Sequence, residues 1–200
     1  MGVTSFQMTT GNRLSDTELQ ELATQIDPWT VERNADNTYW FMPPVSSFYS
    51  SSNQSLARML GNWAEKDGTG LCFDATGGFT LPDGSNRSPD AAWVRKDRIT
   101  ALAKADRYPY LKLAPDFIAE LRSPGNTLTG GRETDVMHKM SLWMANGVRL
   151  GWLIDPMEEK AYIFRAGKPM ESIASFESEL SGEDVLKGFV LPLIKLRLPQ

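Results

Sequence analysis

The sequence predicts an α/β (α+β) fold in which a mixed β-sheet is flanked by α-helices. Three observations point to it: a capped amphipathic helix near the N-terminus, a series of strand-like runs bounded by turn residues, and a strand–helix–strand unit over residues 116–155. Ser15 and Glu18 form a capping box, and Leu19, Leu22, Ala23 and Ile26 follow at helical spacing, predicting a helix over 16–26. WTVER (29–33) and TYWFM (38–42), joined through Asn34 to Asn37, read as a β-hairpin. Leu56, Met59, Leu60 and Trp63 place a second helix over 51–66. LCFD, GGFTL and PDAAWV read as three strands, with a turn signal at Pro82 to Gly84 before the last, and 97–106 as a short helix. A strand over 116–122, a Pro-Gly-Asn loop and a helix over 132–146 follow, the helix stopped by Asn146 and Gly147. LGWLID, KAYIFR and an apolar strand over 188–196 complete the chain. This order implies one mixed sheet with helices packed on it, and a right-handed parallel crossover over 116–155.

Two hundred residues suit one domain spanning 1–200, with 1–14 as an N-terminal arm. Hydrophobic content of 41% and charged content of 23% are those of an ordinary soluble globular protein. No window approaches the roughly 18 apolar residues of a membrane span, and the first residues lack the pattern of a secretory signal, so a cytoplasmic protein is expected. Cys72 and His138 are each the only residue of their type, which excludes an internal disulfide and a histidine-rich metal site. The net charge of −4 does not advertise a nucleic-acid binder, but its distribution is uneven. Residues 1–70 carry four basic and eight acidic groups, whereas 84–112 carry seven basic against three acidic. That basic segment can serve phosphate contact or be a solvated charged connection.

The strand PDFIAELRS holds an awkward residue, because Glu120 sits among Phe117, Ile118, Ala119 and Leu121. A carboxylate in a buried strand needs a partner or a metal. Asp116 lies on the same strand face but roughly 13 Å away, too far to share one ion, and reads as a strand-starting residue. Asp90, on another strand, can meet Glu120 if the strands are neighbours about 4.8 Å apart. Two carboxylates beside a backbone carbonyl form an oxygen-rich site suited to Mg²⁺ or Mn²⁺; the alternative for Asp90 is an ordinary turn aspartate after a proline. On the helix RETDVMHKMSLWMANG, Lys139 falls at the margin of the apolar stripe. From there it can extend its stem along apolar surface toward the carboxylates, or pair with Asp135 four residues earlier; spacing alone favours the Asp135 pair. His138 points away from the stripe and reads as a surface residue.

ERNADNTYWFMPP, NWAEKDGTG, GFTLPDGSNRSPDAAWV, PDFIAELRSPG and KMSLWMANGVRLGWLIDP together resemble the Uma-type "putative restriction endonuclease" family, a branch of the PD-(D/E)XK nuclease superfamily, over residues 14–165. The resemblance implies a restriction-endonuclease-like fold and a metal-dependent endonuclease hydrolysing DNA phosphodiester bonds. By that resemblance Asp90 and Glu120 are the acidic ligands of Mg²⁺ (or Mn²⁺), and the Leu121 carbonyl is the third ligand. The superfamily lysine usually stands two residues past the glutamate, where this chain has Arg122; Lys139 on the next helix is its displaced equivalent. Arg122 then contacts substrate phosphate or neutralises the carboxylates. Glu32 matches a family glutamate and reads either as a support of the metal site or as a hairpin salt bridge. The run SSFYSSSN keeps Asn53 but lacks the glycines common in relatives, which puts close backbone approach to substrate there in doubt. Expected partners are nucleic acid, namely DNA, and a second copy of the chain in a homodimer, hinted at by tryptophans and by LPLIKLRLP. The competing classes are a catalytically silent DNA-binding or assembly module and a hydrolase of smaller phosphodiesters.

Overall fold

The computed structural model describes residues 5–123 and 136–198. In chain order its elements are β1 (Phe6–Thr9), α1 (Asp16–Gln25), β2 (Thr30–Arg33), β3 (Thr38–Met42), α2 (Ser47–Asp67), β4 (Gly70–Asp74), β5 (Phe79–Thr80), β6 (Asn86–Arg87), β7 (Ala91–Arg95), α3 (Lys96–Ala101), β8 (Phe117–Leu121), α4 (Val136–Ala145), β9 (Leu150–Asp155), β10 (Lys160–Arg165), β11 (Glu171–Ile173), β12 (Glu179–Ser181) and β13 (Val190–Pro192). The expected class, a mixed sheet flanked by helices, is the one observed.

The capping box forms as the sequence requires: the Glu18 amide donates to Ser15 Oγ at 3.2 Å and the Ser15 amide to Glu18 Oε2 at 2.7 Å. Helix α1 then buries Leu19 completely against Val31, Tyr39 and Phe41 of the hairpin. Helix α2 begins a turn earlier than periodicity indicates, so the serine run 50–52 is helical and Asn53 lies within the helix. It ends at Gly68, whose φ of 69° supplies the left-handed stop. The expected beginning of the following helix at 132–135, the Pro-Gly-Asn loop and Asp135 lie outside the described residues, as do residues 1–4 of the expected arm.

The strands do not form one sheet. A six-stranded sheet runs β11-β10-β9-β8-β7-β4, and a five-stranded sheet runs β1-β3-β2-β6-β5; β12 and β13 pair separately. The split arises because the turn after Leu81 folds β5 onto the two-residue β6, whose Asn86 joins Arg33 of the hairpin. The last apolar run is a strand only over Val190–Pro192, then a 3₁₀ turn over Leu193–Leu196 that buries Leu193 and Leu196. Proline cannot donate to a continuing ladder, which accounts for the early stop. The N-terminal segment contributes β1, paired with β3 through Phe6↔Phe41 to Thr9↔Thr38. It lies at the edge of the five-stranded sheet, with all four residues exposed.

Strands β8 and β9 are the parallel pair expected of the strand–helix–strand unit, and every residue in both is buried. Burial on both faces explains their continuous apolar character. One face packs Phe117, Ala119 and Leu121 with Leu56 and Leu60 of α2. The other packs Ile118 and Leu153 with Val136, Met140 and Trp143 of α4. No described helix is long and apolar enough to cross a membrane.

Two glycines should respond oppositely to alanine. A Cβ at Gly70 would lie 2.2 Å from the buried Trp93 ring, so Gly70→Ala is expected to destabilise by about 1–3 kcal/mol. Gly61, inside α2, has nothing within 4 Å, so Gly61→Ala is expected to stabilise by about 0.5–1 kcal/mol. Urea denaturation of the two variants checks both signs.

Candidate active site

Side-chain parity on β8 decides where Glu120 goes. Phe117, Ala119 and Leu121 face α2, so Ile118 and Glu120 face α4. Glu120 is 6% exposed, and its Oε1 accepts the indole N–H of Trp143 at 2.9 Å. The ammonium of Lys139 lies 2.9 Å from the same oxygen. Lys139 sits at the margin of the buried face of α4, between Val136, Met140 and Trp143 inside and the exposed His138. Its Nζ also lies 3.0 Å from Glu32 Oε1 on β2 and donates to the Ser88 carbonyl at 3.3 Å. Three protons therefore meet three acceptors. Glu32 in turn accepts the Ser88 amide at 3.0 Å and pairs with Arg87 at 3.5 Å. The structure thus places Glu32 on the catalytic lysine candidate as well as in a salt bridge with Arg87.

Asp90 stands one residue before β7. The register Ala91↔Ala119, continued by one step, sets it opposite Glu120. One carboxylate oxygen of Asp90 accepts the Leu121 amide at 2.6 Å and the other accepts Asn53 Nδ2 at 3.1 Å. Continued one step further, the register sets Leu121 opposite Pro89, which has no N–H to offer the Leu121 carbonyl. The backbone ladder ends there, and the Asp90 side chain takes over one of its bonds. The donors gathered at this edge are all oxygens, a chemistry that fits a hard divalent cation such as Mg²⁺ or Mn²⁺. Among the described residues no three His, Cys, Asp or Glu side chains form a metal cluster. A cation here would therefore rely on two carboxylates together with backbone and water oxygens.

The charges are unequal in their response to burial. Burial pushes the Glu120 carboxyl up to about 7, Asp90 and Glu32 adding to the rise and Lys139 opposing it. Burial likewise raises Asp90, against the Leu121 amide, Lys139 and Asn53. Burial acts to raise Glu32 too, but Lys139, Arg87 and the Ser88 amide outweigh it and hold Glu32 below the usual carboxylate range. For Lys139, burial disfavours the ammonium, yet Glu120 and Glu32 overcome this and raise its pKa.

Other residues singled out by sequence fall elsewhere. Asp116, at the opposite end of β8, accepts the Arg95 amide at 3.0 Å and pairs with Arg98 at 2.9 Å. Arg122 pairs with the fully buried Asp155 of β9, a residue that pattern reading passed over. The basic segment is largely committed to the fold: Arg87 to Glu32, Arg98 to Asp116, Lys112 to Asp106, Lys96 to the Gly68 carbonyl, and Arg107 to the carbonyls of Thr100 and Leu102. Trp143 and Ser88 were legible only as an apolar stripe member and a turn residue.

Comparison with known proteins agrees with this arrangement of elements. The Uma2 family model, described as "Putative restriction endonuclease", matches residues 16–194. Among solved structures, one from Anabaena variabilis described as a "putative nuclease belonging to DUF820" superposes with a TM-score of 0.69 at 18% identity, covering 84% of this chain and 89% of that one. At that identity the likeness speaks for the fold. No curated protein matches.

The raised Glu120 carboxyl has a consequence for stability. Exposed, it titrates near 4.5, and folded near 7, so between these values the folded state holds the extra proton. Stability of the metal-free protein should fall as pH rises through that window and the penalty should be fully present above it. Glu120→Gln removes the titration and is expected to raise the melting temperature in chelator at pH 8, by about 2–4 °C for each kcal/mol relieved. Melting curves of both proteins at pH 5 and pH 8 check this: the gap should open at the higher pH.

Proposed function

Since the chain belongs to the Uma2 family, described as "putative restriction endonuclease", we propose that it is a divalent-metal-dependent endonuclease that hydrolyses DNA phosphodiester bonds at the Asp90–Glu120–Lys139 cluster. The observation that carries this reading is the Lys139 ammonium held 2.9 Å from Glu120, beside the strand edge where Asp90 caps the Leu121 amide. A buried lysine between carboxylates is no cheaper for a fold than an apolar core of similar volume, which speaks for a use of these charges beyond stability.

Asp90, Glu120 and the Leu121 carbonyl would hold Mg²⁺ or Mn²⁺. Bound there, the cation would polarise the phosphoryl oxygens and lower the pKa of a water beside it. Lys139 supplies a positive charge at a fixed place, which stabilises charge developing on the phosphoryl group. Glu32 and the Ser88 carbonyl keep that ammonium in position when Glu120 is engaged elsewhere. Trp143 fixes the Glu120 carboxylate, so that little reorganisation is needed on binding. Arg122, paired with Asp155, serves the electrostatics of this edge rather than direct phosphate contact. Cutting both strands of a duplex takes two such sites, and the reading therefore includes a homodimer.

Nicking of supercoiled plasmid, with Mg²⁺ and with chelator, tests the assignment. The wild type should nick only with Mg²⁺. Asp90→Asn and Glu120→Gln should each lower the rate by more than about 10²-fold, and Lys139→Gln should do so with Mn²⁺ binding retained. Wild-type rates in the Asp90 and Glu120 variants would sink it. Plasmid binding without any cleavage would instead identify a silent DNA-binding module.

A further inference from the structure

Asp90 and Glu120 are held from opposite faces of the sheet. Glu120 is secured from the α4 side by Trp143 and Lys139, whereas Asp90 is secured from the α2 side by Asn53, whose Nδ2 donates to Asp90 at 3.1 Å. The orientation of the Asn53 amide is set by that bond, since turning it over would bring its oxygen against a carboxylate oxygen. The consequence is that Asn53 Oδ1 is buried and has no hydrogen-bond partner among the described residues. A buried carbonyl left unsatisfied costs about 1–3 kcal/mol, so a fold gains nothing by presenting one unless something donates to it. One turn earlier on the same helix face, the hydroxyl of Tyr49 is also buried and without a hydrogen-bond partner among the described residues, in a side chain only 3% exposed. Two unsatisfied polar groups thus lie on the α2 face that reaches Asp90.

We propose that Asn53 is a positioning residue of the cation site: its amide nitrogen presets Asp90, and its carbonyl oxygen accepts a hydrogen bond from a water in the cation's hydration shell. This rests on the metal-dependent reading of Asp90 and Glu120, and it assigns α2 a part in the site that neither the strand edge nor α4 supplies. A hydrated divalent cation is a strong donor through its waters, and Mg²⁺ in particular keeps several of them. The orphaned oxygen then has its partner only in the loaded protein. A purely structural asparagine would behave differently, because its loss would lower stability and leave metal affinity alone.

The test is calorimetric titration of the full chain with Mn²⁺, together with thermal melting in chelator, for wild type, Asn53→Leu, Asn53→Ala and Glu120→Gln. Leucine matches the volume and removes the unpaired oxygen together with the donor to Asp90, so in Asn53→Leu the Mn²⁺ dissociation constant should rise about 10–100-fold whether or not melting in chelator falls. Asn53→Ala leaves room for water and should weaken Mn²⁺ in the same direction. Wild-type Mn²⁺ affinity in both variants, whether or not their melting falls, overturns the role of Asn53 and leaves the nuclease reading standing. Wild-type protein whose Mn²⁺ binding is absent, or is unchanged by Glu120→Gln, overturns both.

Discussion

An ammonium shared between two sheets holds this structure in register. Lys139 arises from α4, yet it bonds Glu120 on the six-stranded sheet and Glu32 on the five-stranded one, at 2.9 and 3.0 Å. All three side chains have little access to solvent, and removing charges from water opposes folding by several kcal/mol per ion. The geometry offsets that cost through saturation: each ammonium proton has an acceptor, Glu32 has two further donors, and Glu120 has the Trp143 indole. Apolar packing of Val136, Met140 and Trp143 on Ile118 and Leu153 seats α4 on β8, and the ammonium adds a polar tie from that helix to the hairpin. Burial, with the Asp90 and Glu32 carboxylates adding to it, raises the Glu120 carboxyl to about 7 in spite of the ammonium.

The second constraint is the termination of a ladder. Strand β7 begins after Pro89, and proline removes the donor that would otherwise continue pairing with Leu121. A side-chain carboxylate replaces part of the missing backbone, since Asp90 accepts the Leu121 amide. The acidic residue is therefore placed by backbone need as much as by chemistry. Its position opposite Glu120 is a matter of register, and a slip of one residue would send one of the two carboxylates to the other face.

Much of this was legible in the sequence for physical reasons that are local. The capping box at Ser15, the hairpin 29–42, the burial of β8 and β9 and the apolar stripe of α4 all depend on patterns within a dozen residues. The juxtaposition of Asp90 with Glu120 could be anticipated once the strands were taken as neighbours, and the family resemblance directed attention to Lys139. What single-chain patterns could not show was which elements meet. Asn86 and Arg87 make a strand of two residues with no periodicity, so the division into two sheets was invisible. Asn53 read as part of a polar run, though its helix turns it toward Asp90 from the opposite face. The net positive charge of 84–112 left phosphate contact and a solvated connection both open, and the partners onto which its arginines and lysines largely close could not be read from it. Charge counted along a chain says nothing of where its counterions are folded.

The three-way sharing at Lys139 also shapes how such a protein can decay. A lineage released from selection for chemistry would ordinarily lose its lysine by the first neutral substitution to arise. Here that loss strands two buried carboxylates, at a cost of about 3–5 kcal/mol for breaking a buried pair, a large part of what a domain has in reserve. Descendants of this architecture should therefore lose Lys139 only after, or together with, its carboxylate partners.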